Sequence, residues 1–521
     1  MVPLMEPHEA EDLLKSHLRE NSLLQDEPRS WTVDRSLLGG RGLFATRDIR
    51  AGELIFTDVP LLIGPRCYNK YLPMCVVCYK SDCPLFPCDH GCGLPICSTE
   101  CEDSAVHIQG ECRFLRGWKP TCGSTWSKDL LLAVVPIRGL TLSKEQRKLL
   151  YAFECHANLT RNYEIDLLKR NVANFPNEEQ MELMRRICGV FNTNSFEVVV
   201  VSSRDEDRTT SLRGLYPMGA FQNHCCVPNT RHHFDDQQRM HVSAVLPIAA
   251  GEEITMSYTD LLWDTWSRRQ FLKITKYFSC HCNRCSDPLE FGSQLGALLC
   301  AKNDCSRHLL PRNPLNHKSS WICDKCQTSV NHRQVIEYIH SGLNTFVSDA
   351  MYKTPREILR FTETVLSKLV PATNYILLDV KYRIISYFGR VPDLKWEDLT
   401  DAELRTKQVY CDEILSALDA LGSGDSIKKD LTDAELRTKQ VYCDEILSAL
   451  DALGSGDSIK KGLVLYELYR TNLELFKRQI SNDNDEQTHP HIKNDDNERL
   501  LRKAMSILQN DVGAACVRKS D

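Results

Sequence analysis

The spacing of hydrophobic positions changes several times along the chain, and each change predicts a different kind of structure. Within MVPLMEPHEAEDLLKSHLRE, Leu13, Leu14, His17 and Leu18 recur three and four residues apart and predict one amphipathic helix. Residues 31–66 read as β structure: Leu43 and Phe44 lead through Asp48 to a turn at Ala51-Gly52 and then to ELIFTDVPLLI. From 128 to 190 the helical spacing returns in KDLLLAVV, SKEQRKLLYAFECHANL and EEQMELMRRICGVF. Beyond Phe196, EVVVVSS, MHVSAVLPI and EEITMSY are strand-like, the last two flanking a turn at Ala250-Gly251. Residues 334–479 are helical, and the polar segment SNDNDEQTHPHIKNDDNE after them buries too little apolar surface to fold before one last helix at 498–509. Two stretches, 75–112 and 280–326, follow neither period and are dense in cysteine.

Residues 398–429, DLTDAELRTKQVYCDEILSALDALGSGDSIKK, recur letter for letter as 430–461. Each copy has a capping box (Thr400 to Glu403, Thr432 to Glu435) and a helix stop at Gly422 or Gly454. Solenoid units keep buried positions and drift at the surface, whereas these match throughout. A recent duplication or an assembly error accounts for that better. One copy adds a single helix, which reverses the direction of an antiparallel array, so one copy is expected to loop out or pack poorly.

The chain has 521 residues, enough for about three domains, and a net charge of −6 from 64 basic and 70 acidic side chains. That balance speaks against general nucleic-acid binding, which needs a basic field. No apolar run approaches a membrane span, and the N-terminus lacks the pattern of a signal peptide, so no membrane association is expected and the compartment is cytoplasm, nucleus or both. The 24 cysteines are the compositional outlier. In a chain kept in the reducing cell interior, clustered cysteines read as metal ligands before disulfides.

Cys75-x2-Cys78, Cys88-x3-Cys92, Cys97-x3-Cys101 and His107-x4-Cys112 supply eight thiol or imidazole ligands, enough for two tetrahedral zinc ions. Too few apolar residues separate them for a core, so metal binding must supply the folding free energy. Cys280-x-Cys282-x2-Cys285 offers three more thiolates, one short of a closed site, and Cys300-x4-Cys305 with Cys323-x2-Cys326 reads as a zinc ribbon. Three other segments stand far apart: Gly39-Gly40-Arg41-Gly42-Leu43-Phe44-Ala45, Asn223-His224-Cys225-Cys226-Val227-Pro228-Asn229, and Gly251-Glu252-Glu253-Ile254-Thr255-x-Ser257-Tyr258-Thr259-Asp260. Singly each has an ordinary structural explanation: a hairpin turn, buried hydrogen-bonded residues, a core tyrosine.

Together, in this order and with a cysteine module after the first, they resemble the SET-and-MYND family of protein lysine methyltransferases, and the stretch from Phe278 to Cys326 is similar to its arthropod branch. The resemblance covers residues 30–330 by motif and the helical C-terminus by type alone. It implies an α+β fold: a knot-like SET-domain β-fold with an inserted MYND finger and helical region, post-SET zinc sites and an all-helical C-terminal domain. The implied divisions are an N-terminal helix in 1–30, the first SET part in 31–70, the MYND finger in 75–112 and a helical insert in 113–195. The SET core follows in 196–262, post-SET and ribbon sites in 263–330, and a helical domain in 334–521 that holds the duplication and a polar segment at 481–498.

Carried over residue by residue, Cys75, Cys78, Cys97 and Cys101 hold one zinc, and Cys88, Cys92, His107 and Cys112 a second. Cys226 completes a third with Cys280, Cys282 and Cys285, and the ribbon holds a fourth. Arg41, Gly42, Leu43, Asn223, His224, Tyr258 and Phe278 would line the pocket for S-adenosylmethionine. Phe196, Tyr258 and Phe278 would wall the lysine channel, with Tyr258 the catalytic residue. Lysine in water has a pKa near ~10.4 and arrives protonated. A narrow aromatic channel favours its neutral form, and the phenol then orients the lone pair toward the sulfonium methyl. The implied partners are lysine-containing proteins, histone or not, with a role in transcription, and proline-rich peptides on the MYND finger; the chain is expected to be a monomer. The sequence departs from the family at Cys225 (usually serine), at Lys276 (usually aromatic), at Gly39 (often lysine) and by one extra residue in two MYND spacings. The alternative these departures support is an adaptor or co-repressor of little or no activity, docking through the MYND finger and the C-terminal helices.

Overall fold

The computed structural model describes residues 5–24, 28–66, 73–156, 162–201, 209–300, 302, 304–305, 307–388, 391, 394–395, 398–422, 462, 464–469, 471–472, 500–502 and 504. The second copy of the duplicated segment, the polar segment at 481–498 and most of the last helix lie outside the described residues.

The helix Pro7–Glu20 starts on a proline and a reciprocal Glu6/Glu9 cap. Its spacing places Ala10, Leu14, His17 and Leu18 on the buried side. His17 Nε2 reaches the Val59 carbonyl at 3.1 Å and Asp58 Oδ1 at 3.3 Å, which docks the helix on the end of strand Leu54–Asp58.

Three small sheets form the β region. One runs Trp31–Arg35, Arg41–Ala45, Glu253–Met256, Asn223–His224. A second runs Thr230–Phe234, Met240–Ala244, Leu54–Asp58, and a third Leu62–Pro65, Thr209–Leu215, Phe196–Val201. Strand Met240–Ala244 alternates buried and half-buried residues, as a strand with one face on a core must. Gly52 and Gly251 take φ of +83 and +82 at the two turns read from the sequence.

The helical insert differs from its sequence reading in one respect. The run that begins at Ser143 stops at Tyr151, instead of continuing towards residue 159. The carbonyls just there have other partners: Ala152 accepts from Arg41, and Tyr151 and Phe153 accept from Arg186. The chain is thereby turned towards the glycine segment.

One hydrophobic core extends from Ala10 to Ile254 and joins the sheets, the first cysteine module and the helical insert. Another extends from Leu262 to Ala504 and joins the ribbon sheet, Leu298–Leu299 to Ser329–Val330, to helices Ser341–Ala350, Pro355–Phe361, Tyr375–Tyr387 and Asp401–Gly422. The last of these is capped reciprocally by Thr400 and Glu403. Between the two cores lies a small cluster of Cys226, Leu272, Cys280 and Cys285, with Tyr258 packed against it. Among the described residues, no helix is long and apolar enough to cross a membrane.

Candidate active site and metal centres

Sheet register brings the three distant segments together. Glu253 and Ile254 pair antiparallel with Phe44 and Leu43, and Thr255 and Met256 pair parallel with Asn223 and His224. Asn229 fastens the arrangement: its Oδ1 accepts the Thr255 N–H at 2.8 Å and its Nδ2 donates to the Glu253 carbonyl at 2.8 Å.

Asn223 Nδ2 donates to the Arg41 carbonyl at 2.9 Å and to Glu253 Oε1 at 2.7 Å. The other Glu253 oxygen accepts the Ser36 hydroxyl at 2.8 Å. Gly42 sits in this angle. A Cβ there would lie 2.3 Å from Glu253 Oε1 and 2.9 Å from Asn223 Nδ2, so only glycine leaves the contact intact. Leu43 is fully buried beside it. The Arg41 guanidinium lies 5.3 Å from the centre of the Phe221 ring and donates through Nη2 to Ala152, whereas its Nη1 is buried with no hydrogen-bond partner among the described residues. Burial lowers the Arg41 pKa, with Glu154 opposing the shift.

His224 and Tyr258 are joined twice. His224 Nδ1 accepts the Tyr258 backbone N–H at 2.9 Å, and their ring centroids are 5.3 Å apart. Because Nδ1 accepts, the imidazole proton is on Nε2, which faces Cys226 Sγ at 3.1 Å. Burial keeps the ring neutral, with its pKa down to about 4. The Tyr258 hydroxyl donates to the Gln222 carbonyl at 2.6 Å, and burial, reinforced by Glu253, raises its pKa. Phe278 packs edge-on to Tyr258, centroids 6.4 Å apart, and is 36% exposed, at the rim of the site. Lys276 Nζ lies 5.3 Å from the Tyr258 ring centre and donates to the Thr193 carbonyl. The ring contacts of Phe196 are with Tyr216 and His232, at 5.9 and 5.4 Å.

Four groups of metal-ligating atoms are assembled, each with its members within 4.8 Å of one another: Cys75, Cys78, Cys97, Cys101; Cys88, Cys92, His107, Cys112; Cys226, Cys280, Cys282, Cys285; and Cys300, Cys305, Cys323, Cys326. A tetrahedral zinc with Zn–S bonds of ~2.3 Å separates its sulfurs by about 3.8 Å. The observed Cys78–Cys97, Cys97–Cys101, Cys226–Cys280, Cys226–Cys285, Cys300–Cys326 and Cys305–Cys323 distances are 3.5, 3.7, 3.9, 3.5, 3.5 and 3.6 Å. All described cysteines are free thiols, so the disulfide framework does not apply to them. Cys83 and His90 stand outside the four groups.

Around the ligands the structure adds residues whose spacing carries no signal. His107 Nδ1 donates to Glu111 at 2.9 Å, and Arg138 holds Glu111 at 3.0 Å while also bonding Tyr79, Val76 and Ile63. Burial works against the Glu111 charge, but Arg138 and His107 outweigh it and bring its pKa down to about 2. At the third group, the fully buried Arg268 points Nε at Cys226 Sγ, 3.3 Å, and shares Glu290 with Arg284, whose Nη1 donates to the Cys226 carbonyl. Two guanidinium cations beside four thiols would offset the negative charge of a zinc–tetrathiolate centre when the metal is bound. Ser36, Gln222 and Glu253 were likewise not legible as site residues. Glu253 lies inside a motif, but its side-chain partners come from the other two segments.

Comparison with known proteins gives the following likenesses. Residues 40–259 match the SET domain family. A Drosophila melanogaster SET domain-containing protein, SmydA-8 isoform A, is 34% identical over 430 residues, 81% of this chain and 91% of that protein. Human N-lysine methyltransferase SMYD2 is 26% identical over 377 residues, 69% of this chain and 78% of that protein. An Arabidopsis thaliana histone-lysine N-methyltransferase, ASHR1, is 26% identical over 330 residues, 59% of this chain and 65% of that protein. The solved structure of Rubisco LSMT bound to AdoMet aligns at 12% identity over 98% of this chain and 92% of that chain, with a TM-score of 0.26, too low for any argument.

Proposed function

We propose, on the ground that this chain belongs to the SET-and-MYND family of protein lysine methyltransferases, that it transfers a methyl group from S-adenosylmethionine to lysine side chains of histone or other proteins, with Tyr258 at the point of transfer. The observation that carries this reading is the direct coupling of Tyr258 to His224, on the strand that also bears Asn223.

The residues present fit the methyl donor. A buried Arg41 guanidinium nitrogen with no partner among the described residues suits its carboxylate, which matches a guanidinium in charge and shape. The Asn223 amide, the Gly42 angle, Leu43 and the His224 and Phe278 rings would complete the pocket. When bound, the donor supplies a methyl group activated by a sulfonium sulfur. The chain's own contribution is positioning. The Tyr258 hydroxyl, held by the Gln222 carbonyl, stays protonated, its pKa raised by burial, and acts as a fixed dipole rather than a base. Phe278 would wall the path of the lysine and help to strip its water, which favours the neutral amine. Phe196, packed on Tyr216 and His232, is proposed to back that wall.

The four thiol-rich groups suit zinc by donor type and spacing. They would hold the first module together and tie Cys226, two residues from His224, to the segment after Phe278. We further assign proline-rich peptides to the first module, a monomeric state, a role in transcription, and the nucleus or cytoplasm as compartment. Calorimetric titration with S-adenosylmethionine tests the core of the reading: wild type should bind and Asn223→Ala should bind at least ~10-fold less tightly. Methylation profiling of cell extract with wild type and Tyr258→Phe then identifies the acceptor protein. Absence of binding by wild type would end the enzyme reading in favour of an adaptor.

A further inference from the structure

Helix Thr265–Thr275 ends at Lys276, and Tyr277 follows at φ +62, a conformation that a bulky side chain adopts at a cost. The turn sends Lys276 and Phe278 to the same side, onto Tyr258. The Tyr277 ring goes the other way and packs on His156, centroids 4.4 Å apart. Lys276 Nζ therefore stands 5.3 Å from the centre of the Tyr258 ring, beside the residue proposed to sit at the point of transfer. Its hydrogen bond goes to the Thr193 carbonyl, and among the described residues it has no carboxylate partner. The site thus already contains a primary amine from its own chain.

Burial lowers the pKa of this amine to about 8, whereas an ordinary lysine titrates near ~10.4. Near pH 8 a large part of it is neutral and nucleophilic. Lys273, one turn earlier on the same helix, is exposed. A purely structural lysine at this place would gain its stability as a cation over the tyrosine face. Burial away from carboxylates works against that charge and favours a reactive amine.

We infer that Lys276 is a methyl acceptor for its own active site. The inference rests on the methyltransferase reading of the Tyr258 site and extends it to a modification site within the chain. Once the bond to Thr193 is released, the Nζ lone pair of Lys276 forms the new nitrogen–carbon bond. The carbon–sulfur bond breaks, its electron pair stays on sulfur, and S-adenosylhomocysteine leaves. The surplus proton on nitrogen goes to water. The methylated side chain stays in the channel and competes with an external lysine.

The test uses full-length, zinc-loaded protein incubated at pH 8 with S-adenosylmethionine carrying a deuterated methyl group, followed by fragmentation mass spectrometry of the peptide that contains Lys273 and Lys276. The expected result is label on Lys276 and none on Lys273. Its first-order rate should be unchanged over about a tenfold range of protein concentration, and Tyr258→Phe should slow it at least ~10-fold. Lys276→Arg should abolish label at that position. Calorimetry on the same sample separates the two ways of failing. If the donor binds but Lys276 stays unlabelled, or if Lys273 is labelled equally, self-methylation is wrong and the enzyme reading survives. A labelling rate that rises with protein concentration would show transfer between chains and overturn the inference. If the donor does not bind, the reading beneath it falls as well.

Discussion

His224 and Tyr258 form one unit: the imidazole Nδ1 accepts the tyrosine's backbone N–H at 2.9 Å, while Nε2 faces the Cys226 sulfur at 3.1 Å. A single ring links the strand of Asn223, the candidate catalytic residue and the third metal group. Truncating it leaves a buried N–H unpaired, at a cost of about 1–3 kcal/mol. His224→Ala should therefore lose about tenfold or more in methyl transfer and lower the melting temperature. His224→Asn, whose side-chain oxygen can accept the same N–H, should recover part of both. Equal loss in the two variants would show that the bond to Tyr258 is not what His224 contributes.

Gly42→Ala places a methyl group 2.3 Å from Glu253 Oε1 and 2.9 Å from Asn223 Nδ2. Relief requires Asn223 to turn away from its two partners. The affinity for S-adenosylmethionine should fall at least ~10-fold while the fold, judged by circular dichroism, is retained. Unchanged affinity would remove Gly42 and Asn223 from the pocket.

Metal analysis of the purified chain should find four zinc ions, one for each group of ligands. Cys305→Ser should reduce the count to three. Cys226→Ser should also give three, but with loss of methyl transfer, because Cys226 touches both His224 and Arg268. Two or fewer ions in wild type would refute the ligand sets. Strong chelation should unfold the first module, whose own apolar content is small.

Arg138→Met removes the cation that faces Glu111, a carboxylate with no exposed surface. Glu111 keeps its hydrogen bond from His107 but loses its guanidinium partner, and breaking a buried ion pair costs up to about 3–5 kcal/mol. Denaturant unfolding should show a loss of that order, and Arg138→Met combined with Glu111→Gln should regain part of it. No loss in the single variant would mean that the carboxylate finds water.

The His17–Asp58 contact gives a pH dependence whose sign follows from its geometry. Burial alone would lower the His17 pKa, but bonding to Asp58 and to the Val59 carbonyl raises it overall. A folded pKa above the unfolded value of ~6.5 means that the stabilisation is fully present below pH ~6.5 and is lost as pH rises through the folded value. The difference in melting temperature between wild type and His17→Gln should therefore be largest near pH 6 and shrink towards alkaline pH. A difference that grows with pH would reverse the assignment.

Sequence alone determined whatever is written in local spacing. Three- and four-residue apolar periods mark the helices, Ala51-Gly52 and Ala250-Gly251 mark turns, and closely spaced thiols mark metal chemistry, because a ligand set needs its atoms near one another whatever surrounds them. The family resemblance added which distant segments belong together. It could not specify how they touch. The bond from Tyr258 to His224, the two acceptors of the Asn223 amide, the arginines facing the Cys226 group and the placement of Lys276 on Tyr258 join residues from 18 to 182 positions apart. Such contacts have no period in the chain. They arise only when strand register and the turn at Tyr277 bring the side chains within hydrogen-bonding or ring-packing distance, and a helix that local pattern would have extended past Tyr151 gives way because its carbonyls are taken by arginines from elsewhere in the fold.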